Sequence, residues 1–204
     1  PVVGDAGHGK RSPRMIEQKP SASFEQSDRV YGVSLSDEGA RLLVGGRDKT
    51  IRLYVVEPPR KLWQRETGDT IYAVALSSDG EICAYGGQEP TVTICACTSG
   101  APLQSISVTN TVKSLHIIPG TRKLMVGGDQ CLLSVYDMDT VEEEVCLPFK
   151  EPVNSVFGTE HSLLIAHGRQ GDMFGKGMSS YAWNDQPSFA VAKAVVTNRD
   201  HAKR

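Results

Sequence analysis

The chain has 204 residues, 39% of them apolar and 23% charged, with a formal charge of −2 at neutral pH. That is enough chain to bury a core in one or two domains, and the balance fits neither a disordered nor a collagen-like polymer. No apolar run approaches the roughly 18 residues of a membrane span, and the basic surplus typical of nucleic-acid binders is missing, so neither membrane nor nucleic acid is expected as a partner.

Residues 1–29 are rich in glycine, proline and charge and read as a flexible linker or arm, with Ala22 to Glu25 a candidate outer strand. The run Gly4-Asp5-Ala6-Gly7-His8-Gly9-Lys10 approximates the phosphate-binding pattern Gly-x4-Gly-Lys-Ser/Thr. That chemistry needs backbone amides around the phosphate, a lysine charge, a hydroxyl for Mg²⁺ and a following helix. Arg11 stands in the hydroxyl position, and Pro13 disfavours the helix. A glycine-rich linker is the preferred reading, and nucleotide binding through Gly9 and Lys10 is kept as an alternative. The chain begins at Pro1, and it is expected to be a piece of a longer protein.

From residue 30 an internal repeat governs the sequence. Glycine pairs fall at Gly45-Gly46, Gly86-Gly87 and Gly127-Gly128, each 41 residues from the last, and one further step reaches Gly168 after His167. Other columns keep the same phase: Val30, Ile71, Val112 and Val153; Val33, Val74, Leu115 and Val156; Ile51, Val92, Leu133 and Phe174. Within the first unit, Val33 to Leu35, Leu42 to Val44, Ile51 to Val55 and Lys61 to Arg65 read as short strands. Turn residues such as Ser36-Asp37-Glu38-Gly39 separate them. Four strands in about 41 residues is the period of a propeller blade. Blades are predicted over 30–66, 71–107 and 112–147, with a fourth from Val153 to about residue 175. Residues 176–204 are expected to be irregular, with the apolar run Phe189 to Val196 a candidate last outer strand.

The stretch Val44-Gly45-Gly46-Arg47-Asp48-Lys49-Thr50-Ile51-Arg52-Leu53-Tyr54 closely resembles the end of a WD (WD40) repeat. Ser78-Asp79-Gly80, Thr98-Ser99-Gly100 and Val135-Tyr136-Asp137 resemble other parts of the same unit. The departures are the absent Gly-His dipeptide and Tyr54, Cys95 and Tyr136 where tryptophan is usual. The resemblance covers about residues 30–175. It implies an all-β partial propeller of about four divergent, four-stranded antiparallel blades, held mainly by packing. Further blades are expected from the parent chain or another subunit, because a half-ring leaves blade flanks uncovered.

The resemblance further implies a protein–protein interaction scaffold in the cytoplasm, binding protein or peptide partners through its loop face. A regulatory propeller of a larger multidomain protein or enzyme is the alternative. The family's binding face is built from strand-connecting loops. Beside its inner-strand anchor lies a column of unrelated residues, Tyr31, Tyr72, Lys113 and Asn154. Varied chemistry at a fixed place suits recognition, and aromatic and arginine side chains favour anchoring. Tyr31, Arg47, Tyr72, Gln88, Lys113 and Arg169 are the predicted partner-binding residues.

No catalytic residue, cofactor or metal is expected. Cys95-Ala96-Cys97 puts two thiols together without the second ligand pair that a metal needs. The five histidines have no nucleophile or paired carboxylate at catalytic spacing. Five cysteines scattered through apolar runs fit buried free thiols in a reducing compartment, and Glu142-Glu143-Glu144 reads as a solvated strand edge.

Overall fold

The computed structural model describes residues 22–159, 162–168, 177–182 and 194–196. Every regular element among them is a strand. β1 (Val30–Leu35), β2 (Arg41–Gly46), β3 (Thr50–Val55) and β4 (Arg60–Glu66) form the first antiparallel sheet in that order. β5 (Ile71–Leu76), β6 (Ile82–Gly87), β7 (Thr91–Ala96) and β8 (Pro102–Ser107) form the second. The third comprises β9 (Val112–Ile117), β10 (Lys123–Gly128), β11 (Leu132–Asp137) and β12 (Glu143–Pro148). The fourth comprises β13 (Val153–Gly158), β14 (Ser162–His167), β15 (Gly177–Ala182) and β16 (Ala194–Val196). Each sheet is a blade, and the inner strands β1, β5, β9 and β13 pack in succession.

The glycine pairs explain how the blades fit. In each inner pairing the register slips by one residue: Val30 faces Gly46 but Gly32 faces Gly45, and Ile71 faces Gly87 but Ala73 faces Gly86. The slip leaves one residue out of the ladder, a β-bulge. The chain entering the inner strand is thereby pressed onto the second glycine. Arg29 O, Thr70 O and Thr111 O occupy the space where a Cβ on Gly46, Gly87 or Gly128 would sit. The next amide secures each carbonyl, with Arg47 N donating to Arg29 O at 2.8 Å and Gln88 N to Thr70 O at 3.0 Å. The first glycine of each pair serves the neighbouring blade instead. A Cβ on Gly45 would lie 2.6 Å from Ile71 Cγ2, one on Gly86 3.0 Å from Val112 Cβ, and one on Gly127 2.5 Å from Val153 Cγ1. The inner-strand anchor of every following blade thus rests directly on a backbone.

The core consequently lies between sheets. Leu43, Ile51 and Leu53 meet Ile71, Val74 and Leu76 across the first interface. Val92 and Ile94 meet Val112 and Leu115 across the second, and Met125 and Leu133 meet Val153 and Ile165 across the third. Burying each such side chain contributes about 1.5–3 kcal/mol.

The four sheets do not close into a ring, and exposure records this. Val74, Leu115 and Val156 are 7%, 7% and 6% exposed against the preceding blade, whereas Val33, at the same place in blade one, is 65% exposed. Val30 and Leu35 are exposed with it. At the other end Leu164 is 42% exposed, although Leu43 and Met125 occupy the same strand position fully buried.

Blade four departs from the 41-residue step. Its first turn, residues 159–161, is two residues shorter than 36–40 in blade one. Ala166 and His167 therefore take the places of the glycine pair, facing Ser155 and Val153, and Gly168 falls beyond them. The residue opposite Ala166 on β15 is Met178, where the unbroken step pointed to Phe174, which lies outside the described residues. The connection from β14 to β15 spans 168–176 against 47–49 in blade one, so the fourth sheet continues past residue 175 into β15 and β16.

The segment before β1 is another correction. Residues 22–26 form no strand, because side chains rather than backbone tie this segment to blade one. The Phe24 and Tyr54 rings pack at 4.8 Å, Gln26 Nε2 donates to the Tyr54 hydroxyl at 3.0 Å, and the Ser27 hydroxyl donates to Asp48 at 2.6 Å. Blade one is therefore fastened by a polar network as well as by packing.

Gly87→Ala is expected to destabilise the chain by roughly 1–3 kcal/mol, since its Cβ meets backbone that cannot swing away. Urea unfolding should show a lower midpoint with an unchanged slope.

Candidate functional site

The residue displaced by each bulge is the column singled out in the sequence. Tyr31 lies between Val30 and Gly32 where the register slips, Tyr72 between Ile71 and Ala73, and Asn154 between Val153 and Ser155. Lys113 takes the same place between Val112 and Ser114. A bulge re-aims its side chain, and here four successive blades aim theirs into one concavity. Its volume is about 780 Å³, and it is lined by Tyr31, Tyr72, Lys113 and Asn154 together with Gln88, Thr111 and Asp129.

The lining combines flat apolar faces with polar groups. The rings of Tyr31 and Tyr72 lie 5.4 Å apart, tilted by 57°. The Tyr72 hydroxyl donates to Gln88 Oε1 at 3.4 Å. The Lys113 ammonium forms an ion pair with Asp129. Asn154 Nδ2 donates to Gly168 O at 2.7 Å, which holds its amide against the end of β14. Few of these groups need to move for a ligand to reach them, because the inner strands and tight turns carry them.

Of the six residues predicted for binding, Tyr31, Tyr72, Gln88 and Lys113 line this concavity. Arg47 sits on the corresponding turn of blade one but outside the lining, with its guanidinium 3.9 Å from Asp28. Arg169 lies outside the described residues. Asn154, from the same column, and Thr111 and Asp129, from the strand-connecting loops, line the site as well, although none was among the six. The signal for Asp129 was available, since it follows Gln88 by one repeat of 41. The phosphate-loop-like segment 4–10 also falls outside the described residues.

The turn beside the concavity carries a strong electrostatic fixture. Asp48 accepts from Ser27, pairs with Arg52 at 2.7 Å and accepts from the Thr50 amide at 3.2 Å. Burial works to raise its carboxyl, but the Ser27 hydroxyl and the Arg52 guanidinium outweigh it and hold the group below the usual carboxylate range.

Three of the five thiols are buried in packing, whereas Cys131 is half-buried and Cys146 exposed, against the expectation of buried thiols throughout. Cys95 and Cys97 are buried with Cys83 in the core between blades one and two. Bonds to the neighbouring Cys95 and Cys97 thiols, joined by burial, push the Cys83 thiol up. Its nucleophilic thiolate is therefore suppressed. His116 bonds to Gly158 O at 2.7 Å across the third interface, and burial holds its imidazole below the usual range. Among the described residues no group of three or more His, Cys, Asp or Glu side chains is arranged to hold a metal ion.

Known proteins place the fold. Residues 18–54 match the family described as "WD domain, G-beta repeat". Two solved structures, "Structure of U3-55K" and "Crystal structure of RRP9 WD40 repeats", each superpose with a TM-score of 0.73 at 16% identity over 84% of this chain. The match covers 53% and 52% of those chains, so this chain spans about half their length. Identity this low speaks for the fold alone. No curated protein sequence matches the chain.

A carboxyl depressed on folding adds stability above its unfolded pKa and loses it as pH falls through the folded value. Asp48→Asn is therefore expected to cost roughly 1–3 kcal/mol at pH 7, with the gap to wild type narrowing below about pH 4. Urea unfolding at pH 7 and pH 3 measures both; an equal gap at the two pH values would contradict it.

Proposed function

Taking the chain as a set of divergent WD-repeat blades in an incomplete β-propeller, we propose that it is an interaction scaffold whose concave face binds a protein or peptide. The observation that carries this reading is the convergence of four bulge residues and the adjoining turns on one concavity of about 780 Å³. The work is recognition without bond-making. The Tyr31 and Tyr72 faces offer apolar area at low conformational cost, as aromatic anchors do. Gln88, Asn154 and Thr111 offer hydrogen bonds to a partner's backbone. The Lys113–Asp129 pair sets the terms for charged groups, because a partner must bring a carboxylate for Lys113 or a cation for Asp129 to separate them at little cost.

A second reading makes these blades the regulatory part of a larger multidomain protein. Both readings use the same face. The odd number of thiols supports a reducing compartment such as the cytoplasm as its place of work.

Peptides selected against the chain from a random display library provide the probe. Tyr72→Ala and Lys113→Ala are each expected to weaken selected peptides on the order of tenfold or more, the scale of an interface hot spot. Arg47→Ala, outside the concavity, is expected to leave them nearly unchanged. Equal affinity for all three variants and wild type would remove the concave face from the proposal.

A further inference from the structure

Three thiols meet in the core between blades one and two, and none of them lines the concavity. Cys83 lies on β6, Cys95 on β7 and Cys97 just beyond β7, packed with Leu43, Leu53 and Trp63 of blade one. Cys83 is hydrogen-bonded to both of the others. The strand register decides which pair can join covalently. Cys83 and Cys95 are direct partners in the β6–β7 ladder. Opposite Cα atoms of an antiparallel ladder lie about 4.5–5.5 Å apart, inside the roughly 4.4–6.8 Å that a disulfide spans. Cys95 and Cys97 are two steps apart on one extended chain, so their Cβ atoms stand about 6.6 Å apart, against the roughly 3.5–4.5 Å a disulfide needs. Cys83 and Cys97 are diagonal neighbours, about 7–8 Å apart by Cα, which a disulfide bridges only if the backbone moves.

We propose that Cys83 and Cys95 form an oxidation site, a dithiol that a hydroperoxide converts reversibly to a disulfide within blade two. The Cys95 sulfur attacks one peroxide oxygen, the O–O bond breaks, and the leaving hydroxide departs as water with the thiol proton. The Cys83 sulfur then attacks the Cys95 sulfenic acid. The S–S bond forms, the S–O bond breaks, and the second water carries away the Cys83 proton. Two thiols thus lose two electrons to one peroxide. The order of attack follows the hydrogen bonding. The bond from Cys83, over the opposing burial and helped by the Arg65 charge, holds the Cys95 thiol below its ordinary range, while Cys83 is pushed up. The lower thiol is the readier nucleophile. Cys83 is 0% and Cys95 1% exposed, with blade one over them, so the reaction proceeds when blades one and two part. The new bond staples β6 to β7 and leaves Cys97 a free thiol.

The test treats the full, reduced 204-residue chain with hydrogen peroxide, alkylates it in urea and digests it with chymotrypsin, whose cut after Tyr85 separates Cys83 from Cys95. The expected mass spectrum contains a Cys83–Cys95 cross-link, and both residues escape alkylation until dithiothreitol is added. Cys97→Ser is expected to retain the cross-link and Cys95→Ser to lose it. Cys83→Ser is expected to leave a dimedone-reactive sulfenic acid on Cys95. Peroxide added to the urea-unfolded chain is expected to give mixed pairings, which ties the selectivity to the strand register. Cys83 and Cys95 fully alkylated after peroxide treatment of the folded chain would overturn the proposal. So would Cys97 in place of either residue in the cross-link, or the same mixture of pairings from the folded and unfolded chains.

Discussion

The inner-strand bulge and the glycine pair opposite it are the constraint on which the rest of this molecule depends. The bulge needs a backbone without Cβ at the second glycine, where Arg29 O, Thr70 O and Thr111 O press in. The next blade needs a backbone without Cβ at the first, where Ile71, Val112 and Val153 settle. One dipeptide thus sets both the shape of a blade and its distance from its neighbour. The same bulge delivers the candidate site, because the residue it expels from the ladder is the one aimed into the concavity. Tyr31, Tyr72, Lys113 and Asn154 can differ freely in chemistry because the ladder does not use them, while the residue before each is a branched apolar anchor, Val30, Ile71, Val112 or Val153.

This division explains how framework and recognition coexist in a short repeat. Anchors and glycines answer to the neighbouring blade, and bulge residues answer to whatever enters the concavity. It also explains the flanks. A blade is stable through its two neighbours, so the first blade of this open set leaves its anchors Val30 and Val33 exposed, and the last leaves Leu164 exposed. Blade four is the informative exception within the set, with Ala166 and His167 standing in for the glycines. Its His167 ring lies 5.1 Å from Phe149, a contact the glycine blades have no counterpart for.

Much of this was legible in the sequence because the constraint is periodic. Fixed 41-residue spacing of glycine pairs and apolar anchors located four blades and the order of their strands. What periodicity misread was compensation: the turn at 159–161 lost two residues and the connection at 168–176 gained more. Val153 and Val156 kept phase because they precede both changes, while Gly168 appeared to keep it by coincidence. The Ser27–Asp48 and Gln26–Tyr54 bonds were illegible because they join residues more than twenty positions apart without any repeated spacing. Within the site, the bulge column was found because it repeats. Asp129 was passed over in favour of aromatic and basic residues, and Arg47 was included although its guanidinium turns toward Asp28.

The claim that one first-position glycine and one anchor form a matched pair is tested most directly by a double-mutant cycle on Gly127 and Val153. Gly127→Ala crowds Val153, and Val153→Ala leaves a void at the third interface, so each alone lowers the free energy of urea unfolding. The account predicts that the double variant is more stable than the sum of the two losses allows, by at least about 0.5–1 kcal/mol, because the added methyl enters the space the valine vacates. Strict additivity would contradict it, and would mean that the blades are spaced by something other than this contact.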